Sequence, residues 1–161
     1  MQKITACLWF DTQAEEAANF YVSIFKNSKI LNVARYSEAG AKASGMPQGT
    51  VMFVVFQLQG QTFMALNGGP QIKFTWAVSF MVNCETQEEI DYFWEKLTAG
   101  GEESMCGWLK DKYGLSWQIV PAAIGQFMSG PDASKSARAM EALLKMSKID
   151  LNVLEKAYNE E

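Results

Sequence analysis

The residues of this chain that could carry out chemistry are few, and histidine is not among them. The 161 residues include three cysteines and 18 acidic residues but no histidine. A Ser/His/Asp triad and a Cys/His pair are therefore excluded, because both depend on an imidazole base. The acidic residues cluster at predicted helix starts and near the C-terminus, where carboxylates interact favourably with the helix dipole or with water. No acid–base pair is indicated.

Gln118 is a polar side chain well placed for a binding role. In the string SWQIV, Gln118 shares a strand face with Ser116 and Val120, while the two intervening residues point the other way. A glutamine that faces a cavity can orient a ligand carbonyl or hydroxyl. A plain hydrogen bond within the sheet is an equally good interpretation.

Cys106 and Asp111 are reactive residue types for which structural roles are favoured. No histidine exists to activate the Cys106 thiol, and buried free cysteines usually act as inert packing groups. Asp111 precedes a bend at Gly114, where an aspartate commonly accepts backbone hydrogen bonds. Neither residue is predicted to be catalytic.

Two copies of one structural unit must position these side chains. The segment ACLWFDTQAEEAANFYVSIF matches VSFMVNCETQEEIDYFWEKL at a shift of 72 residues, and LQGQTFMAL matches KYGLSWQIV at a shift of 54. Each copy has an apolar run, a polar turn, a helix with one apolar face and a hairpin glycine, Gly60 or Gly114. Thr12 with Glu15, and Thr86 with Glu89, predict capping boxes at the two helix starts.

This pattern predicts an α+β fold of two βαβββ modules followed by C-terminal helices. The predicted elements are Lys3–Phe10, Ala14–Phe25, Ile30–Tyr36, Val51–Gln59 and Thr62–Asn67, then Thr75–Asn83, Gln87–Thr98, Glu102–Cys106, Gly107–Asp111 and Ser116–Pro121. We expect residues 1–121, with modules at about 3–69 and 75–121, to form one domain, and 122–161 to form a helical extension.

Two segments lie outside the copies. Ser37–Gly49 lacks periodicity and predicts a loop, which is either a mobile lid or an ordinary surface crossing. In the extension, an apolar stripe and an N-cap at Asp150 predict two helices, which pack on the module body or on a second subunit. The stripe consists of Ala133, Ala137, Met140 and Leu144.

Composition limits the class of protein. With 48% hydrophobic and 20% charged residues the chain can bury a sizeable core, and its net charge of −4 argues against nucleic-acid binding. No segment approaches the roughly 20 apolar residues of a membrane span, and no signal peptide is recognised. Three cysteines without CxxC spacing favour a cytoplasmic location. The 10 Phe, 9 Met and 5 Trp residues favour burial against a partner, so a homodimer is expected.

Several strings carry a family resemblance. The stretches EEAANFYVSIFKNSKI, GQTFMALNGGP and CGWLKDKYGLSWQIVP resemble the PhnB-like branch of the vicinal oxygen chelate superfamily, and KMSKIDLNVLEKAY extends the resemblance into the tail. That superfamily also contains glyoxalase I, fosfomycin and bleomycin resistance proteins and extradiol dioxygenases. Members of this branch have often been labelled 3-demethylubiquinone-9 3-methyltransferase. The resemblance implies mixed sheets that curl into a cup, commonly completed across a homodimer.

The resemblance also implies where a metal would bind. Metal-using members place His, Glu or Gln on the first and last strands of each repeat, so that a divalent ion can polarise two substrate oxygens. The matching positions here are Thr5, Met64, Ala77 and Gln118. Only Gln118 is a ligand type, so no metal and no cofactor are expected. The label's methyl transfer is not supported either, because the run Gly68-Gly69-Pro70 precedes another strand rather than a helix.

These observations predict a homodimer that binds a small hydrophobic or aromatic molecule without a metal. The residues expected to line the cup are Thr5, Cys7, Trp9, Met64 and Gln118. Trp9 either stacks on the ligand or fills its own collapsed cavity. One alternative is an enzyme of the same superfamily, acting as a metal-assisted lyase, transferase or dioxygenase or as the methyltransferase of the label. Another is a structural or partner-binding homodimer whose own side chains fill the cup.

Overall fold

The computed structural model describes residues 2–160 of the chain. Its elements, in order, are β1 (Ala6–Phe10), α1 (Ala14–Ile24), β2 (Lys29–Arg35), α2 (Glu38–Ser44), β3 (Val51–Leu58), β4 (Gln61–Asn67), β5 (Ser79–Cys84), α3 (Gln87–Thr98), β6 (Glu102–Glu103), β7 (Trp108–Lys110), β8 (Ser116–Pro121), α4 (Ile124–Ser129), α5 (Ala133–Leu143) and α6 (Leu151–Asn159). The chain divides into two compact units, one ending at Lys73 and the other beginning at Phe74. This boundary falls between the two predicted modules.

The first unit is a four-stranded mixed sheet with α1 packed on one face. The strand order is β1-β4-β3-β2, with β1 parallel to β4 and the other neighbours antiparallel. Tyr21 of α1 stacks on Phe56, and Phe56 stacks on Phe63, with ring centroids 6.2 and 5.5 Å apart. Each fully buried side chain of this size contributes about 1.5–3 kcal/mol, so this face is the core of the unit.

The opposite face of this sheet is less buried and holds apolar side chains in two rows. Strand register places Cys7 beside Met64 and Met64 beside Val55. The next row consists of Trp9, Leu66 and Phe53. Cys7 is exposed, and the other five residues are half-buried.

The second unit repeats this topology. Its strand order is β5-β8-β7-β6, with β5 parallel to β8. Helix α3 buries one apolar stripe, which consists of Ile90, Phe93, Trp94 and Leu97. The predicted pair of βαβββ modules is therefore confirmed, and the first copy contains α2 in addition.

The two copies differ in the register of their parallel strand pair. Met64 and Gln118 occupy matching positions in the sequence alignment of the copies. In the first copy Met64 pairs with Cys7. The alignment matches Cys7 with Ser79, so the same register would pair Gln118 with Ser79. Gln118 pairs with Met81 instead. The second copy is therefore shifted by two residues. Since strand side chains alternate, this shift leaves every side chain on its own face.

The two helices begin in different ways. Thr86 caps α3 as predicted, because its hydroxyl accepts a hydrogen bond from Glu89 N at 3.3 Å. The predicted box at Thr12 is wrong, since the N-cap residue is Gln13 and no side chain of its own caps α1. Asn67 takes that role instead. Its Oδ1 accepts from Ala14 N at 2.8 Å, across 53 residues of sequence.

Several predicted bounds need correction. β1 begins at Ala6 rather than Lys3, and β5 begins at Ser79 rather than Thr75 because a local turn occupies the start. β6 ends at Glu103, and the positive φ of Cys106 prevents the strand from reaching that residue. The segment predicted as a loop contains helix α2, which is capped by Ser37 and ended by left-handed Gly45.

The extension packs within the second unit. Its helices enclose a cluster of Phe127, Ala139, Leu143, Ile149 and Leu154, which rests on Val120 of β8. The predicted stripe on α5 is wrong, because Met140 and Leu144 are 40% and 58% exposed. The predicted cap at Asp150 is confirmed by its 3.0 Å hydrogen bond from Val153 N.

None of the helices described between residues 2 and 160 has both the length and the apolar character needed to cross a membrane.

Candidate functional site

Trp9 and its neighbours form the apolar part of the candidate site in the first unit. The Trp9 indole donates from Nε1 to Gly69 O at 2.9 Å. Its ring covers Gly68, where a Cβ atom would lie 2.2 Å from the indole. Only glycine leaves room for this arrangement, so Gly68 is required where the Trp9 ring packs. Trp9 is thus held against its own unit with its side chain half-buried.

Cys7 and Met64 are adjacent on the same face, as register requires. Partial burial raises the pKa of the Cys7 thiol, so at neutral pH it is a neutral, weakly polar group. Thr5 precedes β1 and is exposed. The first unit therefore brings together three of the predicted residues, Cys7, Trp9 and Met64.

Gln118 lies in the second unit between two apolar side chains. Register places Met81 on one side of it and Trp108 on the other. Its Nε2 donates to Ser79 Oγ at 2.9 Å. Among the described residues nothing donates to its Oε1, so the carbonyl oxygen remains able to accept a hydrogen bond. An amide acceptor flanked by a thioether and an indole suits a mainly apolar molecule with one polar group.

Ser79 is a site residue that the sequence alignment missed. A constant shift of 72 residues matched Thr5 with Ala77, but Ala77 is exposed and lies before β5. The two-residue shift in register makes Ser79 the structural counterpart of Thr5. No local signal reveals such a shift, because the apolar–polar alternation reads the same in either register.

A cavity adjoins the Gln118 row of the second sheet. It is an open depression with a volume of about 410 Å³. Its lining consists of Trp76, Ser104, Met105, Cys106 and Trp108. Trp76 meets Trp108 edge to face at 6.1 Å, and Lys110 Nζ lies 4.2 Å from the Trp76 ring centroid. Two indoles, a thioether and a thiol give this cavity an apolar, polarisable wall.

A second cavity of about 410 Å³ lies in the first unit and contains none of the predicted site residues. It is lined by Thr12, Glu15, Arg35, Met46, Pro47, Thr50, Val51 and Asn67. Arg35 pairs with Glu15 at 3.2 Å in a half-exposed ion pair, and the Asn67 amide is used at both ends within the unit. The two charged side chains that line this cavity, Arg35 and Glu15, are therefore paired with each other.

Asp111 is confirmed as a turn residue. Its carboxylate is 2% exposed and accepts from Tyr113 N, Leu115 N and Trp117 Nε1 at 2.9, 3.1 and 2.8 Å. These bonds order the turn between β7 and β8. The carboxylate is therefore engaged in structure rather than aimed at a ligand.

The divalent ion that the family resemblance implies does not fit the residues present. Across residues 2–160 no three His, Cys, Asp or Glu side chains come together as a metal site. The inferred ligand positions hold Thr5, Met64, Ser79 and Gln118, whose hydroxyl, thioether and amide groups are weak ligands for transition ions. No reaction step through a metal is supported by this donor set.

Comparison with known proteins identifies the family. The family model described as 3-demethylubiquinone-9 3-methyltransferase matches residues 2–120. The PhnB protein of Bacillus cereus, a structure that carries the same description, is 42% identical with a TM-score of 0.64, and the match covers 74% of this chain and 99% of that one. No curated protein matches the chain.

Two more distant structures share the fold. Protein PA1353 from Pseudomonas aeruginosa is 17% identical with a TM-score of 0.60, over 75% of this chain and 98% of that one. The fosfomycin resistance protein FosX from Listeria monocytogenes is 15% identical with a TM-score of 0.51, over 78% and 94%. The predicted α+β glyoxalase/bleomycin-resistance-like fold is confirmed. The chain belongs to the PhnB-like, 3-demethylubiquinone-9 3-methyltransferase family.

Proposed function

We propose that this protein binds a small hydrophobic or aromatic molecule, without a metal, on the open sheet faces that carry Thr5, Cys7, Trp9, Met64 and Gln118. The observation that carries the proposal is the Gln118 amide, which keeps a carbonyl acceptor between Met81 and Trp108. The adjoining apolar cavity supports it. The ligand class is an apolar body with one hydroxyl or amide that donates to Gln118 Oε1.

Methyl transfer is not proposed, although the family label names it. A methyl donor usually rests on a glycine-rich turn between a parallel strand and a helix. Here Gly68 and Gly69 follow β4, and β5 is the next element in the chain. Gly68 accommodates the Trp9 ring, so the glycine run already has a packing role.

Native mass spectrometry of the protein purified without added metal tests the proposal directly. We expect an added mass that matches a small organic molecule and is lost on denaturation. A transition metal bound at about one per chain would contradict the metal-free proposal. A ligand-free protein that also binds nothing in a screen of aromatic and aliphatic hydroxyl compounds would contradict the binding function.

Replacing Gln118 with leucine is expected to weaken binding of the co-purified molecule by about 1–3 kcal/mol, or about 5- to 150-fold in Kd. The reason is that the ligand's donor group would be buried without an acceptor. Calorimetric titration of the stripped protein measures the change. The matched control is Gln126→Leu on the exposed surface of α4, which should bind like the parent. Equal affinity in both variants would place the ligand away from Gln118.

We also propose that the protein is a homodimer located in the cytoplasm. The open apolar rows of the first sheet support partner burial, and the three unpaired cysteines support a reducing compartment. The same native mass spectrum reports the oligomer, since one chain has a mass of 18.0 kDa. A monomer at micromolar concentration would contradict the homodimer.

A further inference from the structure

The extension beyond residue 121 contacts the wall of the second-unit cavity. The family model matches residues 2–120, so the extension lies beyond the matched residues. The connector between α5 and α6, residues 144–150, accepts two backbone hydrogen bonds from the turn that lines the cavity. Cys106 N donates to Met146 O, and Gly107 N donates to Ser147 O, both at 2.8 Å.

The turn held in this way is strained. Cys106 and Gly107 have φ values of 59° and 81°, in the left-handed region. For cysteine this conformation costs energy and persists only where the surroundings enforce it. The extension supplies such enforcement, since Cys106 Sγ also donates to Leu143 O, at the end of α5, at 3.6 Å. The Ile149 side chain packs so closely that a Cβ on Gly107 would lie 3.0 Å from its Cδ1.

The connector is itself fastened to α3. Gln87 donates from Nε2 to Ile149 O at 3.1 Å and accepts at Oε1 from Leu151 N at 2.8 Å. Lys148 forms an ion pair with Asp91, one turn further along the same helix. Residues 144–150 are thus bonded to a helix on one side and to the cavity turn on the other.

We propose that the extension is a positioning element of the ligand site. Residues 144–150 fix the turn at Cys106 and Gly107, and with it the wall formed by Met105 and Cys106, and so set which molecules fit against that wall. This inference rests on the proposed binding function. With the turn held, the wall suits a compact ring; with the turn released, the wall loses its fixed shape, and affinity for such a ring falls because preorganisation is lost.

The test uses the full-length chain and two variants that do not line the cavity. Ile149→Ala removes the packing on Gly107, and Gln87→Ala removes the fastening to α3. The matched control is Val153→Ala, an exposed position on α6 of the same extension. Gln87 is only half-buried, so Gln87→Ala remains informative if Ile149→Ala fails to fold.

Alkylation of the three cysteines by iodoacetamide, followed by peptide mass spectrometry, measures how often the turn at Cys106 opens. We expect Cys106 to react about tenfold faster in both variants, because the turn opens locally, and at the parent rate in Val153→Ala. Cys7 is exposed in the first unit and serves as a reference whose rate should be the same in all variants. Burial, with a smaller effect from Glu89, raises the pKa of the Cys84 thiol to about 12, so its reaction signals global unfolding. An unchanged Cys106 rate would overturn the inference.

Calorimetric titration with p-cresol, a ring with one hydroxyl, measures the affinity of the ligand site. Affinity should fall about fivefold or more in Ile149→Ala and Gln87→Ala while Val153→Ala binds like the parent. If Cys106 is released but p-cresol affinity is unchanged, the extension does not position the site and the inference fails. If the parent binds no p-cresol, the proposed ligand class fails, and the alkylation rates alone decide whether the extension holds the turn.

Discussion

Replacing Asp111 with alanine is expected to lower the free energy of unfolding by about 3–5 kcal/mol. The carboxylate accepts three hydrogen bonds, from two backbone amides and from the Trp117 indole, and it is 2% exposed. Alanine would leave the Leu115 amide and the Trp117 indole buried without an acceptor. The affected turn joins β7 to β8, so the loss falls on the strands that carry Trp108 and Gln118.

Urea unfolding followed by tryptophan fluorescence measures this loss. Asp111→Asn preserves the shape of the side chain and one carbonyl oxygen, so it should lose less stability than Asp111→Ala. Asp132→Ala is the matched control, since that carboxylate also accepts two backbone hydrogen bonds but is exposed at the start of α5. We expect about 0.5–2 kcal/mol there. A loss at Asp111 no larger than at Asp132 would show that burial of the carboxylate is unimportant.

Gly107→Ala is expected to cost about 2–5 kcal/mol, the sum of a left-handed backbone penalty and overpacking. The φ of Gly107 is 81°, and an added Cβ would lie 2.6 Å from Ile119 O and 3.0 Å from Ile149 Cδ1. The Ile149 side chain can move, but the β8 backbone cannot move without disturbing the row that holds Gln118.

Gly114→Ala separates the two contributions. Its φ of 84° is nearly the same, and a Cβ there would meet nothing within 4 Å. It should therefore show the backbone penalty alone, about 1–2 kcal/mol. The two variants are compared by urea unfolding under identical conditions. Equal losses would mean that contact with Ile119 and Ile149 adds nothing at Gly107.

The sequence predicted those features whose causes are local. The stripe of α3 and its Thr86 cap depend on residues three and four apart, and both are confirmed. The start of α1 at Ala14 was predicted, but its cap could not be, because the first amide bonds to Asn67 on a distant strand. Helix α2 was missed because it buries no residue, so its sequence carries no apolar periodicity. On α5 the stripe failed because Ala139 and Leu143, rather than the larger Met140, face the cluster.

In the candidate site, too, the features with local causes were predicted and those that depend on distant strands were not. The face of Gln118 was predicted from alternation along one strand. Its neighbours Met81 and Trp108 were not predicted, because they depend on the register of three strands. Its partner Ser79 depended on the pairing of two strands far apart in the chain, which alternation does not specify. Trp76 was missed because it lies in a stretch predicted as strand, where it appeared as one more sheet residue.

The two-residue offset between the parallel pairs bears on how duplicated modules diverge. An offset of one residue would exchange core and open faces along the whole strand, whereas an offset of two preserves both. A gain or loss of two residues before a strand is therefore a change that a duplicated half can survive. In this chain the offset places Met81, rather than Ser79, directly beside Gln118, and Ser79 accepts the hydrogen bond from Gln118 Nε2 at the next position on the same face of β5. Strand sliding thus gives duplicated halves a route to different ligand chemistry without any substitution in the strand.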